Sequence, residues 1–207
     1  MKRTFVLLMC VALVAVVVAQ VEAQDVSKAD RAALVKYLKE TRDGVEKAAK
    51  GLSAEQLNFK PAPDRWSVAE CVEHIAAAED YLFALINGKV MKSPGAAEPF
   101  DAAKSHEADA KIKTGITDRS QKAKAPEPLV PTNRFGSEGG SWQHFVESRA
   151  RTIAFAEKEE GLRAHAMDSP VAKGMDAYQW LVFLSAHSAR HTAQMLEVKA
   201  DPNFPKK

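Results

Sequence analysis

The sequence predicts an all-α fold, a four-helix bundle with a long crossover between its second and third helices. Four segments carry helical periodicity, and in the first and the last of them the seam residues fall alternately four and three apart, the spacing of one buried helical face. Two of them open on complete helix-start signatures, and no alternating strand pattern of any length occurs.

Ahead of the helices the chain begins Met1-Lys2-Arg3, runs apolar from Phe5 to Ala19, and then reads Val21-Glu22-Ala23. A basic start, a short apolar core and small or compact residues at −3 and −1 mark a secretory signal peptide. The reading is signal peptide 1–23, cleaved after Ala23, followed by one domain, 24–207. An uncleaved anchor is the alternative. The apolar run is at the short limit of the roughly 17–25 residues a membrane helix needs, and no stop-transfer charge cluster follows it. The expected protein is therefore exported, periplasmic or extracellular, and free of the membrane after cleavage. Losing residues 1–23 removes two basic residues and one acidic, so the net charge falls from +2 to +1. A chain so near neutrality lacks the electrostatic footprint of a nucleic-acid binder. Cys71 is then the one cysteine left, which excludes an intramolecular disulfide.

The first helix is expected over 27–49, with Leu34, Leu38, Thr41, Val45, Ala48 and Leu52 on its seam and Gly51 ending it. Pro61 and Pro63 lie in the connection that follows, where no helix interior is needed. The second helix, 67–87, has Ser67 as cap, Glu70 to complete a capping box, and Trp66 and Cys71 as a hydrophobic staple. Its stripe is Cys71, Val72, Ile75, Ala78, Leu82, Leu85 and Ile86, and His74 lies inside it. Residues 88–140 show no sustained period, hold too few large apolar residues for a second core, and read as one long crossover with a short helix at 101–116. The third helix, 141–159, turns Trp142, Phe145, Val146, Ile153, Ala156 and also Arg149 inward. The fourth, 176–199, starts on Asp176 and Gln179, and its seam reads Trp180, Leu184, His187, His191, Gln194 and Val198.

His187 and His191 are four apart on one helix, so their rings leave the same face and can share an ion. His74 is the other histidine on an inward seam. It lies seven residues from the cap of its helix, roughly 10 Å along the axis, and His191 lies at the same depth if the second and fourth helices are antiparallel. The crossover allows this, because it lets the second and third helices run parallel. Three seam histidines at one level would be costly to bury unpaired. One divalent ion held by His74, His187 and His191 removes that cost. Taken alone, an HxxxH pair is weak, and a lone seam histidine is more often a hydrogen-bonded core residue. His106 and His165 fall in loop or helix-end positions and are expected to face solvent. His144, beside the third seam, is an outside candidate for a fourth ligand. The absence of an HExxH motif excludes a zincin mechanism. Arg149 reaches the same level and is a possible substrate contact, against its alternative role of pairing with a bundle carboxylate. Glu70, Glu73 and Glu79 are surface residues or partners for His74, and none can be singled out as general base.

Two histidine-bearing stretches also carry a resemblance. Trp66-Ser67-Val68-Ala69-Glu70 leading into His74, Asp118-Arg119 and Ala125-Pro126-Glu127 in the crossover, and His187-Ser188-Ala189-Arg190-His191-Thr192-Ala193-Gln194 make nearly all of residues 24–207 resemble the DinB/YfiT-like superfamily of metal-binding four-helix bundles. The resemblance implies a histidine triad at His74, His187 and His191 that binds zinc, nickel or a similar ion, with water completing the shell. Some members of the family look like metal-dependent thiol transferases or isomerases.

The expected function is a metal-dependent enzyme of transferase or hydrolase type acting on an unidentified small molecule through an open three-histidine site. The competing expectations are a non-catalytic or stress-related binding protein whose metal is structural, and a bundle with no metal in vivo. The sequence leaves the oligomeric state open, a homodimer included.

Overall fold

The computed structural model describes residues 26–95, 101–120, 122–136 and 139–206. The signal-peptide reading of 1–23 lies outside the described residues. Ser27, Ser67 and Asp176 each accept a backbone N–H from three residues ahead and start α1 (Lys28–Ala49), α3 (Val68–Gly88) and α6 (Ala177–Lys199). In α3 and α6 the box closes, with Glu70 and Gln179 reaching back to the cap. α5 (Gly140–Lys158) begins without a side-chain cap. These four are the expected bundle helices, each boundary within one residue of its expected place. A one-turn helix, α2 (Ala54–Asn58), fills the first connection and carries its own Ser53–Gln56 box.

Cross-links along the helices fix their directions. Tyr178 donates to the Asp30 carbonyl and Lys199 to that of Ala48, so α1 and α6 run parallel. Arg31 reaches the carbonyls of Ala156 and Glu159 while Arg149 reaches that of Leu38, which makes α1 and α5 antiparallel. Asp80 meets His144 and Ser148, and Phe83 packs edge-on to Phe155, so α3 and α5 are parallel. Val68 and Cys71 pack with Met195 and Val198, whereas Leu82 and Ile86 pack with Trp180 and Leu181, so α3 and α6 are antiparallel. The order around the bundle is α1, α6, α3, α5. Helices consecutive in sequence, α1 with α3 and α5 with α6, therefore face each other across a diagonal.

The apolar interior divides into two main clusters. One gathers Leu34, Leu38, Leu82, Ile86, Leu181 and Leu184, the other Val45, Cys71, Ile75, Phe145 and Met195. Thr41, Glu79, Arg149 and Ser188 lie between them in sequence, are buried, and bond to one another. The bundle thus has a polar layer at mid-height.

The crossover has more structure than its lack of period suggests. A 3₁₀ turn (Val90–Lys92) leads on to α4 (Ala102–Thr117), capped by Asp101. Packed on α6, α4 buries little beyond Ile112. An ion-pair clip holds it: Arg163 donates to Asp109 and to Asp176, and its guanidinium lies 3.8 Å over the Tyr178 ring. A second 3₁₀ turn (Glu127–Leu129) rests on α3. Between α5 and α6 a two-residue hairpin pairs Ala166–Met167 with Met175–Asp176. Among the described residues no helix is long and apolar enough to cross a membrane.

Candidate metal centre

The antiparallel pairing of α3 with α6 sets His74 opposite His187 and His191. The His74 and His187 Nε2 atoms lie 3.1 Å apart. One ligand nitrogen from each of the three rings falls within 4.8 Å of the others. Two nitrogens bound at roughly 2.0–2.1 Å to one tetrahedral ion are separated by about 3.3–3.4 Å. The His74–His187 pair is therefore already close to the spacing that a shared ion requires, and a His191 nitrogen lies within 4.8 Å of both. His74 and His191 are buried, at 2% and 8% exposure, and His187 is half-buried.

The rings are oriented by neutral partners. His74 Nδ1 lies 2.8 Å from the Leu129 carbonyl oxygen, so it is the protonated nitrogen and Nε2 keeps its lone pair for a ligand. His191 Nδ1 lies 3.0 Å from the side-chain oxygen of Gln194. The Trp66 ring covers both, with centroids 4.7 Å from His74 and 5.9 Å from His191. Phe183 stacks against His187.

Burial disfavours the imidazolium form throughout. Desolvation pushes His187 down to about 3 from its ordinary 6.5, helped by neighbouring His74 and by the charges of Arg190 and Arg149. Loss of solvent, then the other two rings, holds His191 well below its usual range. His74 is lowered by desolvation, against the opposing effect of the Leu129 hydrogen bond. All three are neutral at physiological pH, the form that ligates.

Other expected residues lie elsewhere. Arg149 does not stand at a mouth. It is 0% exposed and donates to both oxygens of Glu79 (2.9 and 2.7 Å), to Thr41 and the Leu38 carbonyl, and to Ser188. The expectation of a substrate contact is corrected to the alternative: a bundle carboxylate claims the guanidinium, because burying it unpaired would be prohibitive. His144 is not drawn to the triad; it binds Asp80 and stacks on Phe135. His106 is exposed and meets Asp30, whereas His165, expected in solvent, is half-buried against the Ser93 carbonyl. None of the three glutamates partners His74: Glu70 caps α3, Glu79 holds Arg149, and Glu73 receives the backbone N–H groups of Thr132, Asn133 and Arg134. Sequence reasoning missed Leu129, which acts through its main chain and carries no residue signal. It placed Gln194 on the seam without a role, although a glutamine three residues after a ligand histidine could have suggested one.

Fold and site together define a four-helix bundle with a three-histidine site suited to a divalent ion. Residues 37–195 match the sequence model of the DinB superfamily, and the chain belongs to that superfamily. It is 29% identical over 152 residues to the uncharacterized protein YuaE of Bacillus subtilis (strain 168), covering 72% of this chain and 87% of YuaE. Its fold is similar to that of YfiT from Bacillus subtilis, described as a probable metal-dependent hydrolase with an unusual four-helix bundle topology. That likeness has a TM-score of 0.58 at 15% identity and covers 87% of this chain and 91% of YfiT.

Proposed function

We propose that this chain is an exported, divalent-metal-dependent enzyme, a hydrolase in preference to a transferase, acting on a small molecule. The observation that carries the reading is the meeting of three neutral imidazoles from two helices, with His144 left outside. Three protein ligands leave a coordination position open, as catalytic sites do. Zinc or nickel suits an all-imidazole set. When bound, the ion supplies Lewis-acid polarisation and a nucleophile at neutral pH. The protein's own groups orient and shield. Leu129 and Gln194 hold two rings, and the Trp66 ring covers both. Export would remove the chain from cytosolic low-molecular-weight thiols, which favours hydrolysis over thiol transfer. The description of YfiT supports the same choice.

A non-catalytic binding protein with a structural metal is favoured by one feature. The partners of His74 and His191 are a carbonyl and an amide, and the nearby acids are committed elsewhere. Elemental analysis of untagged protein, followed by assays on small esters and amides with chelator and re-added zinc or nickel, separates the readings. Turnover that follows occupancy at one ion per chain supports the enzyme. A stoichiometric ion with no turnover supports the binding protein, and wild-type protein that takes up no ion sinks both. Mass spectrometry should place the mature N-terminus within a few residues of Gln24; intact Met1 in a membrane fraction would restore the anchor reading.

A further inference from the structure

The Gln194 amide has one end that accepts and one that donates, and its neighbours identify which is which. Arg119 Nη1 lies 3.4 Å from Oε1, and a guanidinium can only donate. The atom it faces is therefore the oxygen. His191 Nδ1 lies 3.0 Å from that oxygen, so it too must donate. The ring proton is thereby placed on Nδ1, and Nε2 is left with its lone pair. Arg119 is itself fixed by two further bonds, at 2.6 and 2.7 Å, to the two oxygens of Glu197.

Arg119 belongs to the crossover, just past the end of α4. The crossover reaches the site a second time through the Leu129 carbonyl on His74. That carbonyl is held in place from both sides. Arg134 donates to the carbonyls of Pro128 and Val130, and Glu73 accepts the N–H groups of Thr132, Asn133 and Arg134 at 2.7, 2.9 and 3.1 Å.

We propose that Gln194 and Arg119 are positioning residues for the metal centre, and that the crossover selects, through Arg119 at one point and Leu129 at another, the nitrogen that two of the three histidines present. This rests on the metal-binding reading above and deepens it. Groups that orient a ligand histidine typically change metal affinity by about 10–100-fold when removed.

The test is Co²⁺ and Zn²⁺ affinity by chelator competition, read with the Co²⁺ visible spectrum and the melting temperature of metal-free protein. Gln194→Leu should weaken both ions about 10–100-fold and alter the spectrum, with little change in metal-free melting. Gln194→Glu, which still accepts from both donors, should restore the affinity. Arg119→Ala should weaken binding in the same direction. Arg65→Ala should not, although Arg65 meets the same Glu197 at 3.4 Å. Wild-type affinity in Gln194→Leu, or an equal loss in Arg65→Ala and Arg119→Ala, overturns the proposal while metal binding stands. If Gln194→Leu does not fold, the two arginine variants decide. Wild-type protein that binds neither ion overturns this proposal and the functional reading together.

Discussion

Arg149 is a side chain that all four bundle helices reach: it rises from α5 and bonds to α1, α3 and α6. Removing it leaves Glu79 buried and unpaired, at a cost of about 3–5 kcal/mol. Arg149→Met should therefore lower stability by about that amount in urea titration, and Arg149→Met with Glu79→Leu should recover much of it. A residue that only held substrate would raise KM and leave the denaturation midpoint unchanged. The histidines make a second prediction. His187 is held near 3 in the fold against an ordinary 6.5, so between those values the unfolded chain binds more protons than the folded one. Stability of the metal-free protein should be complete above about pH 6.5 and fall as the pH drops toward 3. His187→Ala should make that limb shallower in a pH series of thermal melts, with His74 and His191, which are lowered in the same direction, supplying what slope remains.

Helix ends carry their own energetics. Ser67 accepts the Glu70 N–H and Glu70 answers at the Ser67 N–H, which secures the turn leading to His74. Ser67→Ala should cost about 1 kcal/mol by chemical denaturation, and because it moves the start of α3 it should also weaken metal binding. These ends were legible in the sequence because cap and seam agree there: Ser67, Glu70 and the Cys71–Ile86 stripe point to one helix. The seam of α1 was equally plain, and Leu34, Leu38, Thr41, Val45 and Ala48 are all buried as their spacing implies, while Leu52 lies past the helix end and is half-buried against the same core. α4 was legible only as a short helix. Its place against α6 depends on Arg163 reaching Asp109 across 54 residues, a charge pairing that leaves no periodic trace. The triad was legible because all three histidines lie on seams. The group that orients His74 was not, since it is a carbonyl on a turn 55 residues away.

At the scale of the whole molecule, a metal ion at the triad would join α3 to α6, and a ligand selective for the folded state raises the melting temperature. Chelation should lower that temperature in differential scanning calorimetry, and His74→Ala with His187→Ala should abolish the difference. If that double variant keeps native metal stoichiometry and affinity, the ion is held elsewhere. The diagonal arrangement has a kinetic consequence as well. α1 and α6 lie side by side, so contacts such as Lys199 with Ala48 close a loop of 151 residues. Long-range closure costs entropy before it is rewarded and slows folding. α1, α3 and α5 can therefore bury only part of their apolar faces until α6 has been synthesised. During synthesis the bundle is therefore left incomplete and aggregation-prone until its last helix emerges.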